Sequence, residues 1–462
     1  NGFFNQYFAV GSVSILCFVH GTAVSWTSPF TLLLMSENSP LPSGPITMEE
    51  ASWIASISSI SSVLSIYPLG YLGNKFGKKL TMLLSIIPNT SFWIILIFGT
   101  NPYHIMIGRL FSGITGATML ALFPLFVADI ASNNIRGALM SILMVSGSLG
   151  SLMGYVTGYL LSYETIPLVM ISFPILFTIL MLILPETPQS LILQQKYEKA
   201  KKSLTFYRGK YTEAVGLEYE NIKNSIENQS QSNRCDVKQL LSKESICSFI
   251  LITCIAALVT FGGSTTYQSY TALFFNRSGS QFEPNLSSIY AGATAFLSTI
   301  ISFFTADKIG RKFLLLVSFI GAAIFLTILG IFSYCFENNF DTSSIFWLPD
   351  VCIYLITFTF FFGVVPIPWV VVVEILPQNI RTFGQIYYSS TFYLLLFISN
   401  KCVPILLERI YFYNIMWLFA AINVIGMIFI YFCIPETSGK SLIETPEQML
   451  DDKIDKQNCN KV

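Results

Sequence analysis

The chain has 462 residues, 53% of them hydrophobic and 11% charged, and its 26 basic and 26 acidic side chains leave no net charge. A soluble domain is about 25% charged, and a core of this size cannot hide so much apolar surface from water, so a lipid-embedded protein is expected. The charge balance points to no nucleic-acid partner; the nine cysteines show no metal-ligand spacing and no nucleophile–base spacing occurs, so no metal, no cofactor and no enzymatic activity are expected.

A membrane-spanning helix needs roughly 20 apolar residues. Runs near that length occur at 8–33, 52–72, 80–99, 104–127, 138–161 and 166–184. Six more follow at 246–275, 287–306, 313–334, 351–373, 383–403 and 411–434. The first run is followed by many others and so reads as a span, not a removable leader. Between the two sets lies a long polar segment with Lys196, Lys199, Lys201, Lys202, Arg208, Lys210, Lys223, Arg234, Lys238 and Lys243. The expected fold is an all-α integral membrane protein with twelve transmembrane helices. Its parts are a six-helix bundle over 1–185, connector helices over 186–245, a second six-helix bundle over 246–434 and a tail over 435–462. The connector helices have charged faces and are expected to brace the rim of the bundle, with no obligate protein partner.

Lysine and arginine orient a membrane protein. Placing the connector in the cytoplasm puts Lys75, Lys78, Lys79, Arg136, Lys308, Arg311, Lys312 and Arg381 on the same side. It leaves Arg277, Lys401 and Arg409 outside and Arg109 within a span. Both termini are then cytoplasmic. Asn276 and Asn285 fall in an outer loop and fit the glycosylation acceptor pattern, whereas Asn228 fits it on the inner side and should stay bare. Cys335 and Cys352 flank another outer loop, where a disulfide is the alternative to two free thiols.

The two halves repeat one another. After the second span, Gly77 is followed by Lys78 and Lys79; after the eighth, Gly310 is followed by Arg311 and Lys312. Asp129 and Arg136 bracket the turn between spans four and five, as Glu374 and Arg381 bracket the turn between spans ten and eleven. Pro-Glu-Thr follows span six at Glu186 and span twelve at Glu436. Glycine permits a tight turn between helices, and the cations can meet carboxylates or helix C-termini. Duplicated halves are a mark of secondary transporters.

These motifs carry a family resemblance, together with Gly21 to Pro29 in span one, Ser52-Trp53, Gly108-Arg109 with Gly113, Lys202 to Gly209 in the connector, and Pro366-Ile367-Pro368-Trp369 in span ten. From about Gly21 to Leu442 the chain resembles the sugar porters of the major facilitator superfamily, and among them it is most similar to the insect facilitated trehalose transporters and their relatives. The resemblance implies a plasma-membrane carrier of a small solute, a sugar such as trehalose or a hexose, moved by alternating access of the two bundles. It also implies an inner lock of ion pairs, here Lys78, Lys79, Asp129, Arg136, Glu186, Asp307, Arg311, Glu374, Arg381 and Glu436.

The sequence departs from the family pattern where a sugar would bind. The inner-loop acid after span two is Asn74, and its arginine is Lys78, which cannot grip a carboxylate bidentately. The sugar-binding glutamine of span five falls on Met144, the asparagine of span eight on Ala295, and the Asn-Trp pair of span eleven on Phe392 and Tyr393. In span seven one register puts Val259, Thr260 and Thr265 at the binding positions; another puts Gly262, Gly263 and Gln268 there. The groups left to contact a solute are Trp369, Thr260, Thr265, Gln268, Tyr267, Tyr270 and Tyr393. A missing hydrogen-bond partner costs about 1–3 kcal/mol, so a cavity more apolar than an ordinary sugar site is expected. Proton-coupled relatives carry an acid in span one that meets the arginine of span four; here that position is Gly21, beside His20, and Arg109 lacks the partner. The resemblance therefore implies uniport. Two alternatives stand beside it: a nutrient sensor or degenerate carrier that does not transport, and a carrier for a less polar solute.

Overall fold

The computed structural model describes residues 2–132, 134–232, 242–376, 380–434 and 436. The described residues are helical with no strand, and twelve helices among them are long and apolar enough to cross a membrane. Spans one to six are Gly2–Met35, Met48–Phe76, Lys78–Phe98, Pro102–Ile130, Arg136–Leu160 and Thr165–Ile183. Spans seven to twelve are Ser245–Arg277, Pro284–Ala306, Arg311–Glu337, Ser343–Ile375, Phe383–Arg409 and Phe412–Cys433. The tail after 434, Glu436 excepted, lies outside the described residues, as do Arg234 and Lys238.

Most helices outrun the apolar runs that announce them, because polar caps extend them. Span two begins at a capping box: the Glu50 amide donates to Thr47 Oγ1 at 3.2 Å and the Thr47 amide donates to Glu50 Oε2 at 2.8 Å. Span four begins at Pro102, whose missing N–H costs nothing there, behind Asn101, whose side chain accepts from the His104 amide at 3.1 Å.

Three connector helices follow span six: Pro188–Leu193, Tyr197–Arg208 and Glu213–Ser232. They dock on the first half. Asn5 and Gln6 at the start of span one donate to the carbonyls of Phe206 and Tyr207 at 2.6 and 2.9 Å. Arg208 forks onto Glu218 at 2.9 and 2.6 Å and donates to the Ile130 carbonyl at the end of span four at 2.8 Å. The side of the molecule that bears these helices is called the connector face below, and the opposite side the far face.

Spans one and five meet along a glycine seam. Gly147, Gly150, Gly154 and Gly158 face span one, and a Cβ at Gly150 would fall 2.9 Å from Phe18 Cα. Small residues let two backbones approach where lipid offers no competing hydrophobic drive. The closeness lets Thr22 donate to the Gly150 carbonyl at 3.0 Å and Ser151 to the Gly21 carbonyl at 3.3 Å. Between the halves, span two packs on span eleven, span five on span eight, and the far end of span one on the far end of span seven.

Several spans are broken. Span one divides at Trp26, just before Pro29, and span four at Leu122, just before Pro124. Span seven breaks at Gly263, whose φ of 97° is the left-handed region that glycine tolerates. Span ten passes through a π turn at Phe360–Val364 and resumes after Pro366. These four are the first and fourth spans of each half. Span three also divides, at Ser85. Irregular backbone at membrane depth is tolerated where protein or a cavity covers it.

Candidate functional site

Two kinds of site emerge, a cavity between the halves and a pair of charge clusters at the connector face. The cavity is small, ≈ 20 Å³, about the room of one water. Spans five, seven, eight and ten surround it, and its polar lining residues include Ser151, Tyr155, Gln268, Thr271 and Thr357. Gln268 Nε2 donates to Ser151 Oγ at 2.7 Å. The Tyr155 hydroxyl sits 2.8 Å from the Gln268 carbonyl and 3.0 Å from Thr271 Oγ1. The rest of the wall is mostly apolar, with Ala291, Ala295, Tyr267, Phe360 and Phe361. Ala295, where the family pattern carries an asparagine, is part of that wall.

The residues expected to contact a solute do not all reach this space. Gln268 does. Thr265, one turn away on the same half-buried face, has a buried hydroxyl without a hydrogen-bond partner. Tyr267 borders the cavity, but its hydroxyl turns to Met416 Sδ at 3.0 Å. Thr260 is fully buried and donates to the Ala256 carbonyl of its own helix at 2.8 Å. Tyr270 is also fully buried and donates to the Asn400 carbonyl at 2.9 Å. Trp369 stands edge-on to Tyr388 and Phe392, with ring centres 4.9 and 5.3 Å away. Tyr393 crosses between the halves to pack with Ile66, Leu69 and Ala117. Val259 of the first span-seven register is buried, and of the residues in the two registers only Gln268 lines the cavity.

Ser151 and Tyr155 were absent from the sequence reading. Their signal was available: polar residues one turn apart, inside a span, on the face that carries Gly147, Gly150, Gly154 and Gly158.

Arg109 is buried and met by oxygen without any acid. Nη1 donates to the Ala23 carbonyl at 2.6 Å, Nε to the Ile54 carbonyl at 3.0 Å and Nη2 to Ser58 Oγ at 3.3 Å. The guanidinium thus ties spans one, two and four, one of the ways an intramembrane charge is accommodated. The Ala23 carbonyl lies on the turn before the break in span one.

Toward the far face the halves are stitched together. The Ala272 amide donates to Ser28 Oγ at 2.9 Å, and Thr27 Oγ1 to the Ser269 carbonyl at 3.3 Å. Lys401 Nζ donates to Ser52 Oγ at 2.8 Å and lies 4.1 Å from the centre of the Trp53 ring. The described hydrogen bonds between the halves all lie at mid-depth or farther from the connector.

At the connector face the two loops of the sequence repeat adopt one geometry. Gly77 has φ 101° and ψ 150°, and Gly310 has φ 103° and ψ 142°. The cation after each glycine reaches an acid at the end of the fourth span of its half. Lys78 Nζ is 2.5 Å from Asp129 Oδ2, both buried, and Arg311 Nη1 meets Glu374 Oε1. The second cation reaches carbonyls at the end of the sixth span: Lys79 Nζ donates to Leu184 and Lys312 Nζ to Tyr431, the latter at 2.7 Å. Glu186 accepts from the Lys79 amide at 3.0 Å, and Glu436 from the Arg311 amide at 3.1 Å. The two described pairs each join spans of one half. Arg136 is exposed and makes no ion pair with a described residue. The side chains of Asp307 and Arg381 lie outside the described residues.

Of the acceptor asparagines, Asn276 is exposed at the end of span seven, while Asn285 is half-buried in the first turn of span eight. Cys335 and Cys352 are free thiols.

Comparisons with known proteins agree with this architecture. Residues 17–449 match the family described as sugar (and other) transporter. The chain is 30% identical over 442 residues to the facilitated trehalose transporter Tret1 of Bombyx mori, covering 95% of this chain and 86% of that one. It is 32% identical over 443 residues to Tret1 of Apis mellifera ligustica, covering 95% and 87%. Its fold resembles the inward-open conformation of the xylose transporter XylE from E. coli, with a TM-score of 0.76 and 18% identity over 96% of this chain and 98% of that one. These relatives are carriers, not enzymes. With spanning helices throughout and a match that runs nearly end to end, the chain is a multi-pass membrane protein of the major facilitator fold and belongs to the sugar (and other) transporter family.

Proposed function

We propose that the protein is a facilitative carrier that moves a sugar such as trehalose or a hexose down its gradient by alternating access. The observation that carries this reading is the cavity closed by Gln268, Ser151, Tyr155 and Thr271, residues drawn from both halves. A solute there would be held by groups that separate when the halves pivot. Thr265 and Gln268 would offer hydrogen bonds to hydroxyls, and Trp369 and Tyr393 would line the path toward the connector face. The paired clusters of Lys78, Asp129 and Glu186 and of Arg311, Glu374 and Glu436 would hold each bundle rigid at that face during the pivot. The connector face would be cytoplasmic and the membrane the plasma membrane, with both termini inside.

Uniport is supported by the carbonyl partners of Arg109. A proton-coupled carrier of this kind carries an acid beside the arginine, and the described hydrogen-bond partners of Arg109 are two carbonyls and one hydroxyl. The apolar wall around Ala295 favours a second reading, a solute less polar than a hexose.

Purified protein in sealed vesicles, offered labelled trehalose, glucose and a panel of less polar solutes with and without an imposed pH gradient, tests these readings. Saturable sugar uptake that ignores the pH gradient is expected. Uptake driven by the gradient overturns uniport, uptake of the less polar solutes alone selects the second reading, and uptake of nothing overturns the carrier.

A further inference from the structure

A second cavity lies at the connector face, away from the path between the halves. It measures ≈ 620 Å³ and is far roomier than the central one. The ends of spans two and six form one side through Phe76 and Ile183, and the first two connector helices form the other. Lys196, Lys199 and Lys202 stand around it, all three exposed, with Phe206 on the connector side.

Its surroundings have two characters that only one kind of ligand satisfies together. Three lysines stand among its lining residues. The one acid in the wall, Glu186, already accepts from the amides of Lys79, Thr187 and Leu80, at 3.0, 3.0 and 3.4 Å, so its charge is directed at the start of span three. The apolar side opens toward side chains that face lipid: Phe76, Ile183 and Leu182 are 48%, 64% and 66% exposed. The pocket therefore sits where a span leaves the apolar layer, with cations above and hydrocarbon-facing surface below.

We infer that this pocket binds the headgroup of an anionic phospholipid of the connector-face leaflet, its phosphate between Lys196, Lys199 and Lys202 and its acyl chains against the exposed ends of spans two and six. A soluble phosphate would meet the lysines but leave the apolar side uncovered. A neutral lipid would cover the apolar side but leave three like charges uncompensated. Basic clusters just beyond a span attract anionic headgroups.

The test uses the full chain in a neutral detergent, with thermal unfolding read during titration by phosphatidylserine, by phosphatidylcholine and by inorganic phosphate. Phosphatidylserine is expected to raise the unfolding temperature at concentrations where the other two do not. The triple variant Lys196→Gln, Lys199→Gln, Lys202→Gln is expected to need more lipid, by about fivefold for each lysine removed. A matched variant, Lys201→Gln, Lys210→Gln, Lys223→Gln, removes the same charge outside the pocket and is expected to titrate like the parent. Equal stabilisation by phosphatidylcholine, equal loss in the matched variant, or full stabilisation by inorganic phosphate would each overturn the proposal. Five of the six lysines are exposed and Lys223 is half-buried, so both variants should fold.

Discussion

The Glu186 carboxylate lies 3.0 Å from the backbone nitrogen of Lys79, across the loop that joins spans two and three. An anion at a helix N-terminus satisfies amides that the helix itself cannot pair and meets the positive end of its dipole. Gly77 makes the approach possible. Its φ of 101° belongs to glycine, and a Cβ there would run into Glu186. Gly310 and Glu436 repeat the arrangement, with a Cβ at Gly310 falling 2.9 Å from Glu436 Oε2. Gly77→Ala is expected to cost about 1–3 kcal/mol of stability, with Gly310→Ala alike and Glu186→Gln milder than either. Thermal unfolding of the purified variants checks the order; Gly77→Ala melting like the parent would refute it.

Lys78 and Asp129 are buried together, so each protects the other from an uncompensated charge. Lys78→Met or Asp129→Leu alone is expected to lose about 3–5 kcal/mol. The double variant should recover most of that loss, because the surviving charge is then gone as well. Denaturation of the two singles and the double forms a cycle, and strict additivity would show that the pair does not interact.

Gln268 and Tyr155 join the halves at the cavity. Gln268→Ala and Tyr155→Phe are each expected to weaken solute binding by about 1–3 kcal/mol, read as a rise in KM for whichever solute the vesicles accumulate. Thr260→Val, in the core of the same span and bonded within its own helix, should leave KM unchanged. A shift caused by Thr260→Val and not by Gln268→Ala would place the site elsewhere.

Lys401 and Trp53 form a cation–π contact between the halves near the far face. At a partly exposed site such a contact is worth about 0.5–2 kcal/mol. Lys401→Met is therefore expected to favour the state in which the far side opens. A cysteine placed at Ser28, fully buried against span seven, in an otherwise cysteine-free chain reports this. Its labelling by a membrane-impermeant maleimide should speed up in the Lys401→Met background, and an unchanged rate would remove the contact from the gate.

Tyr207 in the connector donates to the Pro185 carbonyl at 2.9 Å. Burial, with Glu186 and Asp129 nearby, holds its phenol well above the ordinary value of 10.0. A phenol raised on folding keeps its proton in the native state while the unfolded chain loses one. Its contribution to stability is thus full below pH 10.0 and falls away as the pH climbs above it. Unfolding temperatures measured up the alkaline range should fall less steeply for Tyr207→Phe than for the parent.

The spans and the repeat were legible because their signals are local. An apolar run of spanning length needs no partner to be recognised, and Gly77-Lys78-Lys79 and Gly310-Arg311-Lys312 announce the same turn twice. The acids that those turns gather, Asp129, Glu186, Glu374 and Glu436, could be named from their places after the fourth and sixth spans of each half. The cavity face of span seven was not legible. A helix carries its phase along the chain only while it stays regular, and this one breaks at Gly263 and distorts again at Tyr270, where φ is −129°.

The residues alone thus determined twelve crossings, two matched halves and the charge clusters at their loops, since hydropathy, glycine and proline act through their immediate neighbours. Tertiary structure decided which polar groups the halves share. It turned Gln268 toward the cavity and Thr260 and Tyr270 into the core, brought Ser151 and Tyr155 across from span five, and met Arg109 with carbonyls. Those outcomes depend on how closely the glycine seam lets spans one and five approach and on where broken helices point their ends, distances that no single segment specifies.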